Sequence, residues 1–511
     1  MYIINDKNLI DDIENQFVAK IEEEKRKLGN LDFVYPLDEE ARKGIKQLIT
    51  EKDTIEYSQI GKLDKVWIDL INRAIKCLRF FDTREPFLNQ TNKTPIAYGI
   101  DNLEKYHDRY SEFEGLLYGA SSYYRDHVFH SIRTWLLGVF CLLKQMPGDA
   151  PLFIEQMTID GGSSKEFSSK INFFEKISMW TLIALCHDLG YPLEKSQQIL
   201  DKTQKMMKEF IPHPNIWNNF GFSGVQDNIN EYIIKFMSTK MVRKKELNIK
   251  NKTIEEKEAN DDITEDAIYL GRVQPKYYLK YTKSLERFNH GIISSVIIYK
   301  MLLYFLESDF NLNDDYEYKY EDARQFYIRR EILRAMASHT CMDIYNIYLT
   351  TFSSVLFLCD ELQEWGRKSW NDLYSGIQPN AVQLSIEKFT PDAVIVAETI
   401  DMKQIENEDV LIENIKRIYQ RQYIHYKVIF RDGQYTQYRE FNFIKKMSLI
   451  LNVSGTEENK VQVEYALNAK EKNYFKINMQ NSTYASPAFI SKLKEKMSMK
   501  TEANDEIEII E

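Results

Sequence analysis

No stretch of this 511-residue chain is apolar for long enough to cross a bilayer. The most apolar short run, WLLGVFCLL at 135–143, falls well short of the roughly 20 residues a spanning helix needs. The opening MYIINDKNLIDDIENQF has neither a basic n-region nor a long apolar h-region, so no secretory signal and no membrane association are expected, and the protein reads as cytoplasmic. Cysteine is scarce: Cys77, Cys141, Cys186, Cys341 and Cys359 occur without CxxC spacing, four of them in apolar helical contexts. Reduced core thiols fit this pattern better than disulfides or a zinc ribbon. Basic charge is short as well, with 67 Lys and Arg against 77 Asp and Glu and a formal net charge of −10. Extensive nucleic-acid binding, which relies on Lys and Arg neutralising phosphates, is not expected, although a local basic patch stays open.

What is present is ample material for a core, since 43% of the residues are hydrophobic and 13% aromatic, and the length suggests two or three domains. The pattern is mainly α. Residues 1–115 read as a helical N-terminal region, with LIDDIENQFVAKIEEEKRKL and VWIDLINRAIKCLRFF carrying apolar positions every three or four residues. Residues 116–375 hold the strongest helices: HVFHSIRTWLLGVFCLLKQM, FFEKISMWTLIALCHDLG, SLERFNHGIISSVIIYKMLLYFL, YIRREILRAMASHT and TFSSVLFLCDELQEWGRKSW. Several are apolar around most of their circumference and belong at the centre of a helical bundle. A charged segment near 243–266 is expected to be a mobile insertion. From 380 to 495 the period shortens in AVQLSIEKF, DAVIVAET, YKVIFRD and KVQVEYAL around a helix-like VLIENIKRIYQRQ, with RDG at 431–433 as a turn. This predicts a small α+β accessory domain, followed by a disordered acidic tail at 496–511.

Only eight histidines exist, and His127, His130, His187, His290 and His339 all fall on the apolar helices. One histidine on such a helix is usually a satisfied core residue; five, together with Asp188 and Asp360, suggest a shared site. Asp360, directly after VLFLC, is a costly buried charge unless it binds a metal or pairs with a neighbour such as Arg367. His187 and Asp188 end a helix just before Gly190 and Pro192, where side chains can turn into a cleft. There an imidazole can bind one ion while a carboxylate bridges to a second. His107 in KYHDRY and His213 in IPHPN read as loop or surface residues, and the basic run KMVRKKELNIKNK as a solvated loop.

The order His130 in HSIRTWLLG, His187-Asp188 in ALCHDLGYP and Asp360 in LFLCDELQEWGR resembles the HD superfamily of metal-dependent phosphohydrolases. His290 in HGIISS and His339 in ASHT look like the extra histidines of its two-metal members. The resemblance covers about 116–375 and implies an HD-type helical bundle. It also implies one or two divalent ions (manganese, iron, cobalt, nickel or magnesium) held by His130, His187, Asp188, His290, His339 and Asp360, which activate a water for attack on phosphorus. Related phosphodiesterases protonate the leaving oxygen with a histidine shortly before the first ligand, and His127 could do this or serve as a ligand. Arg125 and Arg133 flank the site and could pair with phosphate oxygens. Tyr191 stands where many relatives have a histidine or lysine, so Lys195, one turn on, is the alternative source of charge.

The expected function is hydrolysis of a nucleotide phosphate ester or anhydride, with a (deoxy)nucleoside triphosphate first. The alternatives are a phosphodiesterase or nuclease acting on a cyclic nucleotide or single strand, and a non-catalytic sensing or assembly module. A homo-oligomer is left open.

Overall fold

The computed structural model describes residues 2–49, 54–84, 99–120, 126–144, 153–160, 167–209, 225–244, 267–308, 310–341, 350–367, 381–390, 393–402, 444–454, 460–468, 474–478 and 506–510, with a few isolated positions between them. Strand β1 (Tyr2–Ile4) leads into helix α1 (Asp6–Lys27), whose first turn is capped by Asn5 Oδ1 accepting from the Asn8 N–H at 2.7 Å. Leu9, Ile10, Ile13, Phe17 and Ile21 are buried along one face, while Lys25, Arg26 and Lys27 occupy the last turn, where cations suit the helix dipole. Helices α2 (Glu39–Lys46), α3 (Ile60–Phe80), α4 (Ile100–Ala120) and α5 (Val128–Leu143) follow. Then come α6 (Phe153–Gln156), the strand pair β2 (Thr158–Asp160) and β3 (Ser168–Lys170), and α7 (Phe173–Cys186).

Helix α7 is the axis of the bundle. Every residue from Phe173 to Cys186 is buried, and α3, α5 and α13 (Tyr320–His339) pack around it. A capping box starts it, Asn172 Oδ1 accepting from the Glu175 N–H at 2.9 Å and Glu175 accepting from the Asn172 N–H at 3.0 Å. Trp135 donates its indole N–H to Thr181 at 3.0 Å and Trp180 donates to the Trp135 carbonyl at 3.1 Å, which locks α5 against α7. The N-terminal helices share this core, because Trp67 on α3 donates to the Leu185 carbonyl at 3.0 Å and residues of α1, α3 and α5 belong to one buried cluster.

The rest of the bundle comprises α8 (Tyr191–Lys208), α9 (Val225–Ser238), α10 (Pro275–Glu286), α11 (His290–Met301), α12 (Leu303–Leu306) and α14 (Phe352–Leu362). Helix α7 ends ahead of Gly190 and Pro192, as expected, and Pro192 sits in the first turn of α8, where its missing N–H is harmless. A three-stranded sheet of β4 (Thr239–Arg243), β5 (Tyr269–Val273) and β6 (Glu317–Tyr318) flanks the helices. KMVR, expected in a solvated loop, thus supplies most of β4, while 245–266 lies outside the described residues.

The long helix expected through SLERFNHGIISSVIIYKMLLYFL is three. Phe288 takes a left-handed φ of 53°, ending α10, and Asn289 turns the chain into α11, so His290 starts a helix rather than lying inside one. Met301 ends α11, and Leu302 is extended before α12.

The C-terminal sheet follows the alternating pattern: β7 (Ala381–Thr390), β8 (Ala393–Met402), β9 (Ile444–Ser454), β10 (Lys460–Asn468), β11 (Tyr474–Asn478) and β12 (Glu506–Ile510). Its order is β1-β7-β8-β9-β10-β11-β12, with β8–β9 and β11–β12 parallel and the other pairs antiparallel. Two expectations change. The acidic tail is not wholly disordered, since EIEII alternates at the strand period and pairs with β11, Phe475 opposite Ile507 and Ile477 opposite Ile509. The N-terminal region is not purely helical, since β1 pairs with β7, Ile3 opposite Ser385. YKVIFRD, the RDG turn and nearly all of VLIENIKRIYQRQ lie outside the described residues. No helix among the described residues is long and apolar enough to cross a membrane.

Candidate metal centre

The turn after α7 carries the site. Leu189 N–H donates to the Cys186 carbonyl at 3.3 Å and Tyr191 N–H to the Asp188 carbonyl at 2.9 Å, so the chain reverses within four residues and directs His187 and Asp188 inward. Gly190 is obligatory on steric grounds, because a Cβ there would stand 2.4 Å from the His290 carbonyl oxygen. Its N–H donates to Ser294 Oγ at 2.8 Å, and that hydroxyl lies 2.6 Å from the His187 carbonyl, clamping the turn to α11. Gly291 allows an equally close approach on the other side, where a Cβ would meet the Met336 carbonyl at 2.4 Å and His339 Cε1 at 2.8 Å.

His130 from α5, His187 and Asp188 from the turn, His290 from α11, His339 from α13 and Asp360 from α14 are brought together, although 230 residues separate the first from the last. His187, His130 and Asp188 are buried at 0%, 1% and 6% exposure. Each of the four histidines has its Nδ1 against an oxygen: His130 at 2.6 Å from Gln363 Oε1, His187 at 2.9 Å from the Ala184 carbonyl, His290 at 2.7 Å from Glu194 Oε2 and His339 at 2.5 Å from the Met336 carbonyl. These oxygens only accept. Nδ1 therefore carries the hydrogen in all four rings, and Nε2, the atom facing the carboxylates, is left as the ligand atom.

The two oxygens of Asp188 face different histidine pairs. Oδ2 lies 3.2 Å from His187 Nε2 and 3.7 Å from His130 Nε2, whereas Oδ1 lies 3.2 Å from His290 Nε2 and 3.8 Å from His339 Nε2. Asp360 Oδ1 joins the first group, 2.7 Å from His130 Nε2 and 3.6 Å from His187 Nε2. Donor atoms of His130, His187 and Asp360, and separately of His187, Asp188 and His339, all lie within 4.8 Å of one another. Ligands bonded at about 2.1 Å to one ion stand roughly 3–4.3 Å apart, so each group could hold a divalent cation once its side chains draw in slightly; His187 belongs to both groups and His290 to neither, although His290 Nε2 faces Asp188 Oδ1.

Two contacts make little sense without a cation or extra protons. His187 Nε2 is buried with no hydrogen-bond partner among the described residues, and His290 Nε2 stands only 3.1 Å from His339 Nε2, although both rings keep their hydrogen on Nδ1. Electrostatics agrees. Burial disfavours charge on His187, but Asp188, with help from Asp360, outweighs it and raises the ring to about 10; hydrogen bonds to Asp188 and Glu194 likewise overcome burial and raise His290 to about 9. Burial opposes ionisation of Asp188 and Asp360, yet His187 beside the first and His130 beside the second hold both well below the carboxylate range. Protons are thus drawn to the positions a divalent ion would fill.

His127 precedes α5 and is buried, its ring stacked on Tyr191 with centroids 3.8 Å apart and its Nδ1 3.7 Å from Glu114 Oε1. Burial, only partly opposed by Asp188, pushes it well below the usual histidine range, so the ring is uncharged at neutral pH. Tyr191 also meets His290 edge-on at 5.2 Å. Lys195 points to Glu194 at 2.5 Å and lies over the Tyr191 ring at 4.9 Å. Arg133 is not brought to the cluster: its Nε donates to both Asp6 oxygens at 3.1 Å, with further bonds to the Ile55 and Gly366 carbonyls, because Asp6 is wholly buried and needs a counter-charge. Arg125 and His213 lie outside the described residues. His107 is no surface residue; it sits on α4, 3% exposed, stacked on Trp67 at 4.0 Å. Asp360 pairs with His130 instead of Arg367, which donates to the Asp126 carbonyl at 3.3 Å.

Sequence reasoning missed Gln363 and Glu194. Gln363, three residues past Asp360 and so on the same helical side, was discoverable from spacing. Glu194 holds both the N–H of His290 at 2.9 Å and its Nδ1, and nothing local marks it out from Lys195. In comparisons with protein-family models, curated proteins and solved structures, none matched this chain.

Proposed function

We propose that this chain is a metal-dependent phosphohydrolase of the HD type, cleaving a nucleotide phosphate ester or anhydride, with a (deoxy)nucleoside triphosphate as the first substrate to test. The observation that supports it best is Asp188, whose two oxygens face two histidine pairs while His130, His187, His290 and His339 each turn Nε2 inward. Nothing in a structural core requires that convergence, because each ring is already satisfied through Nδ1.

His130, His187 and Asp360 with Asp188 Oδ2 would hold one divalent ion, and His290 and His339 with Asp188 Oδ1 a second. Such ions supply Lewis acidity and a water made acidic enough to attack phosphorus near neutral pH. The protein's own groups do the rest. Gln363, Glu194 and the Ala184 and Met336 carbonyls fix the histidine tautomers. Uncharged His127, stacked on Tyr191, stands ready to exchange a proton at the edge of the cluster.

The test measures bound metal in purified protein and turnover of nucleoside triphosphates, cyclic nucleotides and single-stranded DNA and RNA with manganese or magnesium. The His187→Ala/Asp188→Ala double substitution should abolish both metal binding and turnover. A wild type that binds no transition metal, or a double variant with full activity, refutes the proposal. Cleavage of cyclic nucleotides or single strands alone moves the assignment to a phosphodiesterase or nuclease. Metal bound without any turnover favours a sensing or assembly module.

A further inference from the structure

Two polar groups beside the cluster take no part in holding it. The hydroxyl of Tyr110, on α4, and Nε of Arg367, just past the end of α14, are buried and have no hydrogen-bond partner among the described residues. A buried donor without an acceptor is costly, so such groups are rare unless a ligand or water completes them. Tyr110 is 5% exposed, and burial, reinforced by Glu114 and Asp188, holds its phenol far above the usual range, so it keeps its proton. Arg367 reaches the surface with part of its side chain while its Nε is sealed inside. Burial opposes its charge, but Glu364, Asp126, Asp360 and Asp188 more than offset that. Tyr110 stands one turn past Tyr106, whose hydroxyl donates to the Leu189 carbonyl at 2.7 Å beside Asp188, and Arg367 donates to the carbonyl of Asp126, next to His127, whose ring lies 6.2 Å from that of His130.

A cation cannot satisfy the guanidinium, which offers only hydrogens, and the phenol, which keeps its proton, has one to donate to the same acceptor. What they lack is an acceptor, and one bearing negative charge gains most from an arginine. We infer that Tyr110 and Arg367 form an anion cradle at the edge of the histidine and aspartate cluster, which holds the non-bridging oxygens of the substrate's phosphate. This rests on the phosphohydrolase reading above and deepens it by naming protein groups that bind the scissile phosphate.

The experiment titrates inorganic phosphate, and acetate in parallel, into manganese-loaded full-length protein by calorimetry, with manganese content measured for every variant. Arg367→Gln should weaken phosphate binding about tenfold or more, and Tyr110→Phe, which keeps the ring and its packing, several-fold, both with manganese content unchanged. Arg367→Lys, which preserves charge without the planar fork, should fall between wild type and Arg367→Gln and covers the case in which Arg367→Gln fails to fold. Unchanged phosphate affinity in folded, manganese-loaded Tyr110→Phe and Arg367→Lys overturns the inference while leaving the metal centre standing. Acetate bound as tightly as phosphate, and weakened equally by the substitutions, overturns the assignment to phosphate. A wild type that takes up no manganese removes the reading beneath it, and the cradle with it.

Discussion

Replacing Gln363 isolates how the protein aims one of its histidines. Its side chain is wholly buried and makes two hydrogen bonds, Oε1 accepting from His130 Nδ1 at 2.6 Å and Nε2 donating to the Trp365 carbonyl at 2.7 Å. Gln363→Leu keeps the approximate volume and strands both partners. At about 1–3 kcal/mol for each buried group left unsatisfied, the metal-free variant should lose about 2–6 kcal/mol of stability in urea unfolding. The second effect separates a site from a core. Without an acceptor on Nδ1, the His130 tautomer is no longer fixed, and manganese affinity should fall about 10–100-fold, or roughly 1.4–2.7 kcal/mol, by calorimetry on folded protein. Gln363→Glu, which restores the acceptor but not the bond to Trp365, should recover most of that affinity while remaining less stable than wild type. Unchanged manganese affinity in folded Gln363→Leu would refute the reasoning, because His130 would then not depend on this contact to present Nε2.

Two further outcomes test the scaffold. Asp6 accepts from Arg133, from Trp365 Nε1 at 2.8 Å and from the Ile55 N–H at 2.8 Å, so Asp6→Ala strands a buried guanidinium and should cost about 3–5 kcal/mol in denaturant unfolding; a loss below about 1 kcal/mol would contradict the burial of this pair. Lys176, 6% exposed, is lowered by burial to about 8, with Glu155, Glu24 and Glu175 opposing the shift. Between that value and the ordinary 10.5 the unfolded chain binds a proton that the native protein does not, so stability rises with pH across this window, by up to about 3 kcal/mol. In Lys176→Met this component of the pH dependence should vanish, and parallel wild-type and variant curves from pH 7 to 10.5 would disprove the assignment.

Helix-forming segments were legible wherever apolar spacing was strong, as in α1, α3, α5 and α7, and the strands β7, β8 and β10 followed from alternation. The sequence was less informative where a single residue interrupts a continuous apolar pattern. Phe288 in a left-handed conformation splits what reads as one helix, because periodicity reports which face is buried and not where the backbone turns. Arg133 and His107 were misplaced for a related reason: the partners that bury them, Asp6 and Trp67, are 127 and 40 positions away in the chain.

By itself the sequence determined which side chains were candidates for chemistry, since imidazoles and carboxylates on apolar helices are too costly to bury without partners. It also determined most of the helices that carry them, the start of α11 at His290 excepted. Only the tertiary structure decided that those helices converge, that the two oxygens of Asp188 divide four histidines into two pairs, and that Gln363 and Glu194 turn the rings inward. Burial cost is a property of a residue type and can be read along a chain, whereas the direction of a ring nitrogen is set by an acceptor that folding brings from elsewhere.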